Sequence, residues 1–284
     1  MIDDATDLME SLWNATTVYR PDLFKGEVAL VPGGGSGIGR ATALLFARLG
    51  ARVYITGRKQ EKLDAVIAFA KSKGAEIAGH SGNLREHDNV VELFSRVEDC
   101  FGSPDHVVNS AGGHFAQDAI DFSPKGWNTV ISNNLDSSWF VMQRAAQRWR
   151  DLGRRGSVTN IIVVTERGMP GVAHTVAARA GIIGAMRTVA VEWAPLGIRV
   201  NCIAPGLIQT EGHEVYSEDA RREFARANPL KKTASPMQIA QAAAYLSADS
   251  GDFITGEVLT IDGGGRLWGE FWLSGRPDWF QDHA

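Results

Sequence analysis

The residues with the clearest chemical purpose are Pro32-Gly33-Gly34-Gly35-Ser36-Gly37-Ile38-Gly39-Arg40, five glycines within nine positions. They lie between an apolar run, Glu27 to Val31, and an amphipathic one, Gly39 to Leu49. In a strand–turn–helix setting the glycines have separate uses. Gly33 permits the turn, Gly37 lets backbone approach a diphosphate, and Gly39 lets helix and strand pack closely. The start of the helix adds unpaired N–H groups and the positive end of its dipole. Gly35, Ser36 and Ile38 complete the expected cradle. The next apolar run ends in Thr56-Gly57-Arg58-Lys59. A pocket for unphosphorylated ribose would place an acidic side chain there to accept from the hydroxyls. Two cations suit a ribose phosphate instead, so the expected cofactor is NADP(H).

Such a cradle needs strands to end beneath it and helices to start from it. The pattern supplies both. Strands are expected at 27–31, 52–55, 76–79, 105–109, 157–164, 198–203 and 257–261. Helices are expected at 39–49, 60–73, 90–100, 134–152, 172–196 and 236–248, with 118–130 partly helical. Alternation of this kind implies a single doubly wound α/β domain of Rossmann type, a parallel sheet with helices on both faces. Ligands are then expected at the carboxyl ends of the strands. Residues 1–24 read as an extension with its own apolar cluster, residues 25–265 as the domain, and 266–284 as an aromatic tail.

Composition sets outer limits. The chain has 284 residues, and 29 Lys and Arg against 33 Asp and Glu give a formal charge of −4. That balance argues against nucleic acid as a partner. Cys100 and Cys202 are the only cysteines, too few for a disulfide framework or a zinc site, so no metal is expected. No apolar stretch approaches the roughly 18–20 residues that span a bilayer. The start of the chain carries Asp3, Asp4, Asp7 and Glu10, unlike a basic targeting segment. A cytoplasmic setting is the expectation.

From about Lys25 to Gly265 the chain resembles the short-chain dehydrogenase/reductase family. The glycine loop matches the family's pattern except that Pro32 replaces a Thr. Asn109-Ser110-Ala111-Gly112 resembles Asn-Asn-Ala-Gly, and Asn134 lies where the family keeps an Asn that supports a proton relay. Asn83, followed by Leu84, falls where an Asp usually touches the adenine. Pro205-Gly206-Leu207-Ile208-Gln209-Thr210 resembles the segment whose Ile and Thr hold the nicotinamide carboxamide. The resemblance implies cofactor contacts from all of these, and a homotetramer.

The catalytic pattern departs from the family's. Counting from Asn160, Val163 stands at the usual Ser, Thr175 at the usual Tyr and Arg179 at the usual Lys. Thr175 cannot replace a phenol as a general acid, because an aliphatic hydroxyl is far less acidic. Residues 160–165 and 173–181, with Ala111-Gly112-Gly113-His114-Phe115, are instead similar to the trans-2-enoyl-CoA and 2,4-dienoyl-CoA reductase branch. That resemblance implies NADPH-dependent reduction of an activated C=C bond in an acyl-CoA thioester. Such chemistry tolerates loss of the Tyr, because water can protonate an enolate carbon later. Arg179 is expected to bind the nicotinamide ribose. Thr165, Thr175 and His174 are candidate donors to the thioester oxygen or the carbon, and Glu166 and His114 are lesser ones.

Residues 209–233 are expected to form a substrate lid, in which Arg221, Arg222, Arg226, Lys231 and Lys232 could meet CoA phosphates, although interleaved acids make a solvated face the simpler reading. The tail aromatics Trp268, Phe271, Trp272, Trp279 and Phe280 favour subunit contact. Two alternatives stay open. One is a family member acting on an alcohol or ketone with a substitute acid. The other is a member that binds cofactor without catalysis.

Overall fold

The computed structural model describes residues 4–211 and 224–269, with Leu273 and Pro277. Helix α1 is Asp4–Trp13. The alternating body then runs β1 (Val28–Pro32), α2 (Gly37–Arg48), β2 (Arg52–Gly57), α3 (Gln60–Ser72), β3 (Ile77–Ser81), α4 (His87–Phe101) and β4 (His106–Asn109). It continues with α5 (Pro124–Ile131), α6 (Ser137–Leu152), β5 (Gly156–Ile161), α7 (Ala173–Glu192), β6 (Ile198–Pro205), α8 (Pro236–Ser247) and β7 (Val258–Ile261). The seven strands form one parallel sheet in the order β3-β2-β1-β4-β5-β6-β7. This is the doubly wound Rossmann-type fold read from the sequence. The order reverses between β1 and β4, which puts the crevice above Pro32 and Asn109.

Strands β1, β4 and β5 are buried along their whole length, as their runs of Val, Ile and Leu require when helices cover both faces. The sheet separates two cores. On one side Phe46, Leu45, Leu63 and Ile239 belong to the layer of α2, α3 and α8. On the other, Phe94, Trp149, Met142 and Ile182 belong to α4, α6 and α7. Gly39 is fixed by the close approach of α2 to the loop before it. A Cβ there would lie 2.2 Å from Gly33 O.

The elements differ from expectation at two informative places. β5 stops at Ile161, leaving 162–172 as a loop over the carboxyl edge, and α7 ends at Glu192 before a 3₁₀ turn, Ala194–Leu196. Between α5 and α6 the chain makes a π-helical turn, Ser132–Asp136. The N-terminal extension docks on its own domain. Met9 and Leu12 are buried, Trp13 meets Phe69 edge-on at 6.2 Å, and Arg48 donates to Trp13 O and, at 2.8 Å, to Ala15 O. Of the expected lid, residues 212–223 lie outside the described part, with Arg221 and Arg222. So do Phe271, Trp272, Trp279 and Phe280 of the tail. No helix among the described residues is long and apolar enough to cross a membrane.

Candidate active site

A cleft of about 430 Å³ opens at the carboxyl edge of β1, β2, β3 and β4. Its floor is the glycine loop, with Gly33, Gly35, Ser36, Gly37 and Ile38 on its surface. One end carries Arg58, Lys59, Asn83 and Leu84; the other carries Ala111, Gly112 and Thr210. Twelve of the expected cofactor residues thus meet on one surface. Gly39, Asn109, Pro205, Gly206 and Ile208 lie behind it and shape it. Asn109 Oδ1 accepts from Ala111 N–H at 3.2 Å, Gly206 N–H donates to Ile261 O at 2.9 Å, and Ile208 bridges to Ala234. Lys62, Asn133, Ser137 and Glu211 also line the cleft and were not expected. Lys62 lies one helical turn beyond Arg58 and Lys59, the spacing at which a third cation shares their face.

The charges at the β2 end are uncompensated. Among the described residues none of Arg58, Lys59 and Lys62 makes an ion pair. Their field favours an anion in the cleft.

Deeper in, four buried polar atoms without a hydrogen-bond partner come from one face of α7: His174 Nε2, Thr175 Oγ1, and Arg179 Nε and Nη1. Arg179 is 7% exposed, and Nη2 reaches Ala111 O at 3.4 Å. Burial lowers its pKa to about 10, with the Cys202 thiol opposing; the thiol is itself pushed up to about 12 by burial. The guanidinium therefore stays charged with no carboxylate beside it. Buried donors in native folds almost always find acceptors, so this set fits a ligand rich in hydroxyls and carbonyls. Gly112 makes room for it. At φ +156° a Cβ would fall 2.1 Å from Arg179 Nη2 and 2.6 Å from Asn134 Oδ1.

Asn134 is a support in this structure. Its Nδ2 donates to Gly113 O and Val130 O at 2.8 Å each, and its Oδ1 accepts from Gly113 N–H at 3.2 Å. The π turn aims the side chain across at this loop. His174 differs from the expectation of a proton donor near neutrality. It is fully buried, stacked on Phe122 at 4.4 Å and met edge-on by Phe115 at 4.7 Å. Burial lowers its pKa, and a smaller backbone contact with Val172 opposes this. Thr175 N–H donates to Nδ1 at 2.8 Å. The neutral ring then carries its proton on Nε2, as a hydrogen-bond donor and not an imidazolium acid. His114 is lowered too, by burial first and then by His174 and Arg179.

Thr165 is half-buried on the loop after β5, and its N–H donates to Glu166 at 3.1 Å. Three of the four tyrosines are described, and none lines the cleft. Tyr19 donates to Gln241 O, Tyr54 meets His80, and Tyr245 lies on α8. Tyr216 is outside the described residues.

A family model described as enoyl-(acyl carrier protein) reductase matches residues 33–265. A probable 2,4-dienoyl-CoA reductase of Bacillus subtilis is 33% identical over 243 residues, covering 84% of this chain and 96% of that protein. The 3-oxoacyl-[acyl-carrier-protein] reductase FabG of Thermotoga maritima is 35% identical over 243 residues, covering 84% and 98%. The solved structure of a citronellol catabolism dehydrogenase from Pseudomonas aeruginosa superposes with a TM-score of 0.79 at 35% identity, covering 89% of this chain and all of that one. With a nicotinamide-type cradle at its switch point and matches of this extent, the chain belongs to the short-chain dehydrogenase/reductase family of oxidoreductases.

Proposed function

We propose that this protein reduces the activated C=C bond of an enoyl- or dienoyl-CoA thioester, with NADPH as reductant. The observation that carries the reading is the α7 face: Thr175, His174 and Arg179 present buried donors, while no described tyrosine lies in the cleft. A site of hydrogen-bond donors without a phenolic acid suits an enolate better than an alkoxide. A bound nicotinamide supplies the hydride. The chain's own residues do the rest. Arg179 binds ribose hydroxyls in the fixed geometry of a guanidinium. As charge grows on the thioester oxygen, Nε2–H of His174 and Oγ–H of Thr175 donate to it, and the apolar walls of Phe115 and Phe122 strengthen those bonds by excluding water. Asn134 and Asn109 hold the Ala111–Gly113 backbone against Arg179. Thr165 and Glu166, on the loop after β5, are candidates for delivering the proton to carbon.

Arg58, Lys59 and Lys62 support NADPH over NADH, with no acidic side chain at the end of β2. Exposed Phe253 and Val191 support a homo-oligomer, for which the family resemblance implies a tetramer.

The test is cofactor oxidation with matched trans-2-enoyl-, 2,4-dienoyl- and 3-oxoacyl-CoA substrates, NADH serving as control. Turnover of an unsaturated substrate with NADPH is expected. Turnover of the oxo substrate alone would replace this reading with carbonyl reduction, as the FabG relative's name suggests for that protein. Silence with all three, alongside tight NADPH binding, would favour a non-catalytic member.

A further inference from the structure

The first amides of α2 face the cleft, an arrangement that receives anions. In this chain an anion of its own stands there. Glu211 Oε2 accepts from Gly37 N–H at 3.2 Å, and Oε1 pairs with the Arg40 guanidinium. Arg40 is 6% exposed; its Nη2 makes the contact with Glu211, and its buried Nε has no hydrogen-bond partner. The contact joins positions 171 residues apart, tying the chain after β6 onto the glycine loop. Thr210 packs there too, with its Cγ2 3.3 Å from where a Gly37 Cβ would lie. Burial works against the charged carboxylate. The bonds from its own backbone, Arg40 and Gly37 outweigh that and hold its pKa below the ordinary value. Glu211 is therefore ionised at neutral pH.

A diphosphate entering the cleft needs the donors that Glu211 holds. We propose that Glu211 is an internal competitor for the diphosphate of the dinucleotide, occupying Gly37 N–H and Arg40 until phosphate oxygens replace it. The proposal rests on the family's binding of a nicotinamide dinucleotide. The exchange is anion for anion, so Arg40 is not left buried without a counter-charge, a state that is strongly destabilising. Its consequences are an affinity below that of the bare cradle, and a direct coupling of cofactor occupancy to the backbone at Thr210-Glu211.

The test is Glu211→Gln, which keeps an acceptor oxygen for Arg40 but removes the charge. NADPH, with NADH in parallel, and adenosine 2′-phosphate are titrated into wild type and variant, with protein fluorescence for the dinucleotides and ligand NMR for the fragment. The fragment has no diphosphate. The variant is expected to bind NADPH about fivefold more tightly and the fragment with unchanged affinity. Equal tightening of both would reduce Glu211 to a general field effect and overturn the proposal. Unchanged or weaker NADPH binding would overturn it by showing that the carboxylate and the diphosphate do not compete. Wild-type protein that bound no dinucleotide would be a different failure, removing the cofactor reading and the proposal together.

Discussion

Among the described residues, two cavities of nearly equal size lie at opposite ends of one sheet. The cleft at the carboxyl edge measures about 430 Å³ and the cavity at the amino edge about 420 Å³. The amino-edge cavity is the more heavily charged, yet each of its ions is answered locally. Arg155 meets Asp249 and Asp252 at 3.5 and 3.4 Å, Arg154 meets Asp105, and Arg20 meets Asp22 at 3.4 Å. Arg199 donates to Leu246 O and Ser247 O at the end of α8, at 2.6 and 3.0 Å. His106 lies between Glu27 and Ser157, at 2.6 and 2.8 Å. At the carboxyl edge Arg58, Lys59 and Lys62 make no ion pair among the described residues, and Arg179 has two buried nitrogens without partners. Volume alone would not tell these cavities apart. What separates a site from a structural void here is the set of polar groups left waiting.

The sharpest way to break that comparison is to remove one arginine from each end, buried Arg179 and half-buried Arg199. Arg179→Met should abolish cofactor-dependent turnover, by about 100-fold or more, while raising the Tm of the ligand-free protein by roughly 3 °C. Replacing an uncompensated buried charge with an apolar side chain relieves desolvation. A fall in Tm measured by calorimetry would mean that Arg179 is satisfied in the free fold. Arg199→Met should do the reverse. It leaves the last carbonyls of α8 without donors, at a cost of about 2 kcal/mol in denaturant unfolding, with the dissociation constant for cofactor unchanged. A change in cofactor affinity would show the two ends to be coupled.

Much of the cleft was legible in the sequence because its signals are local. Glycines at a strand–helix junction, two cations at the end of β2, and Asn109 with Gly112 at the end of β4 each declare themselves within a few residues. What was not legible depends on distant pairing. Glu211 meets Arg40, and His106 meets Glu27 and Ser157, through contacts that no window of sequence contains. His174 shows the same limit. Its type suggests a titrating acid, but the stack with Phe122, 52 positions earlier by residue number, makes it a buried neutral donor. Lys62 could have been found by extending the Arg58-Lys59 pair one turn along α3.

A smaller effect sharpens the reading of His174. Its pKa is lowered in the fold, by burial first, so the unfolded chain takes up a proton that the folded one refuses. The stability associated with the neutral ring is complete above the ordinary imidazole value of 6.5 and declines as pH falls below it. His114 and His80, lowered mainly by burial, act in the same direction. His174→Gln should therefore flatten, without abolishing, the acid limb of Tm against pH between about pH 6.5 and 5. An acid limb of unchanged steepness would show that His174 titrates alike in both states.

The π turn at Ser132–Asp136 has a consequence for how this gene can vary in length. Each residue of an α-helix advances the chain by about 100° around its axis. The extra residue in the turn therefore sets α5 and α6 out of helical phase with each other. Deleting any single codon from that turn would let Pro124 to Leu152 close into one regular helix. α5 would then rotate by a quarter turn or more relative to α6, and Asn134 would swing off the Gly113 backbone. Substitutions on this helix pair can be absorbed one side chain at a time, but a one-residue deletion changes every contact on one side of it at once.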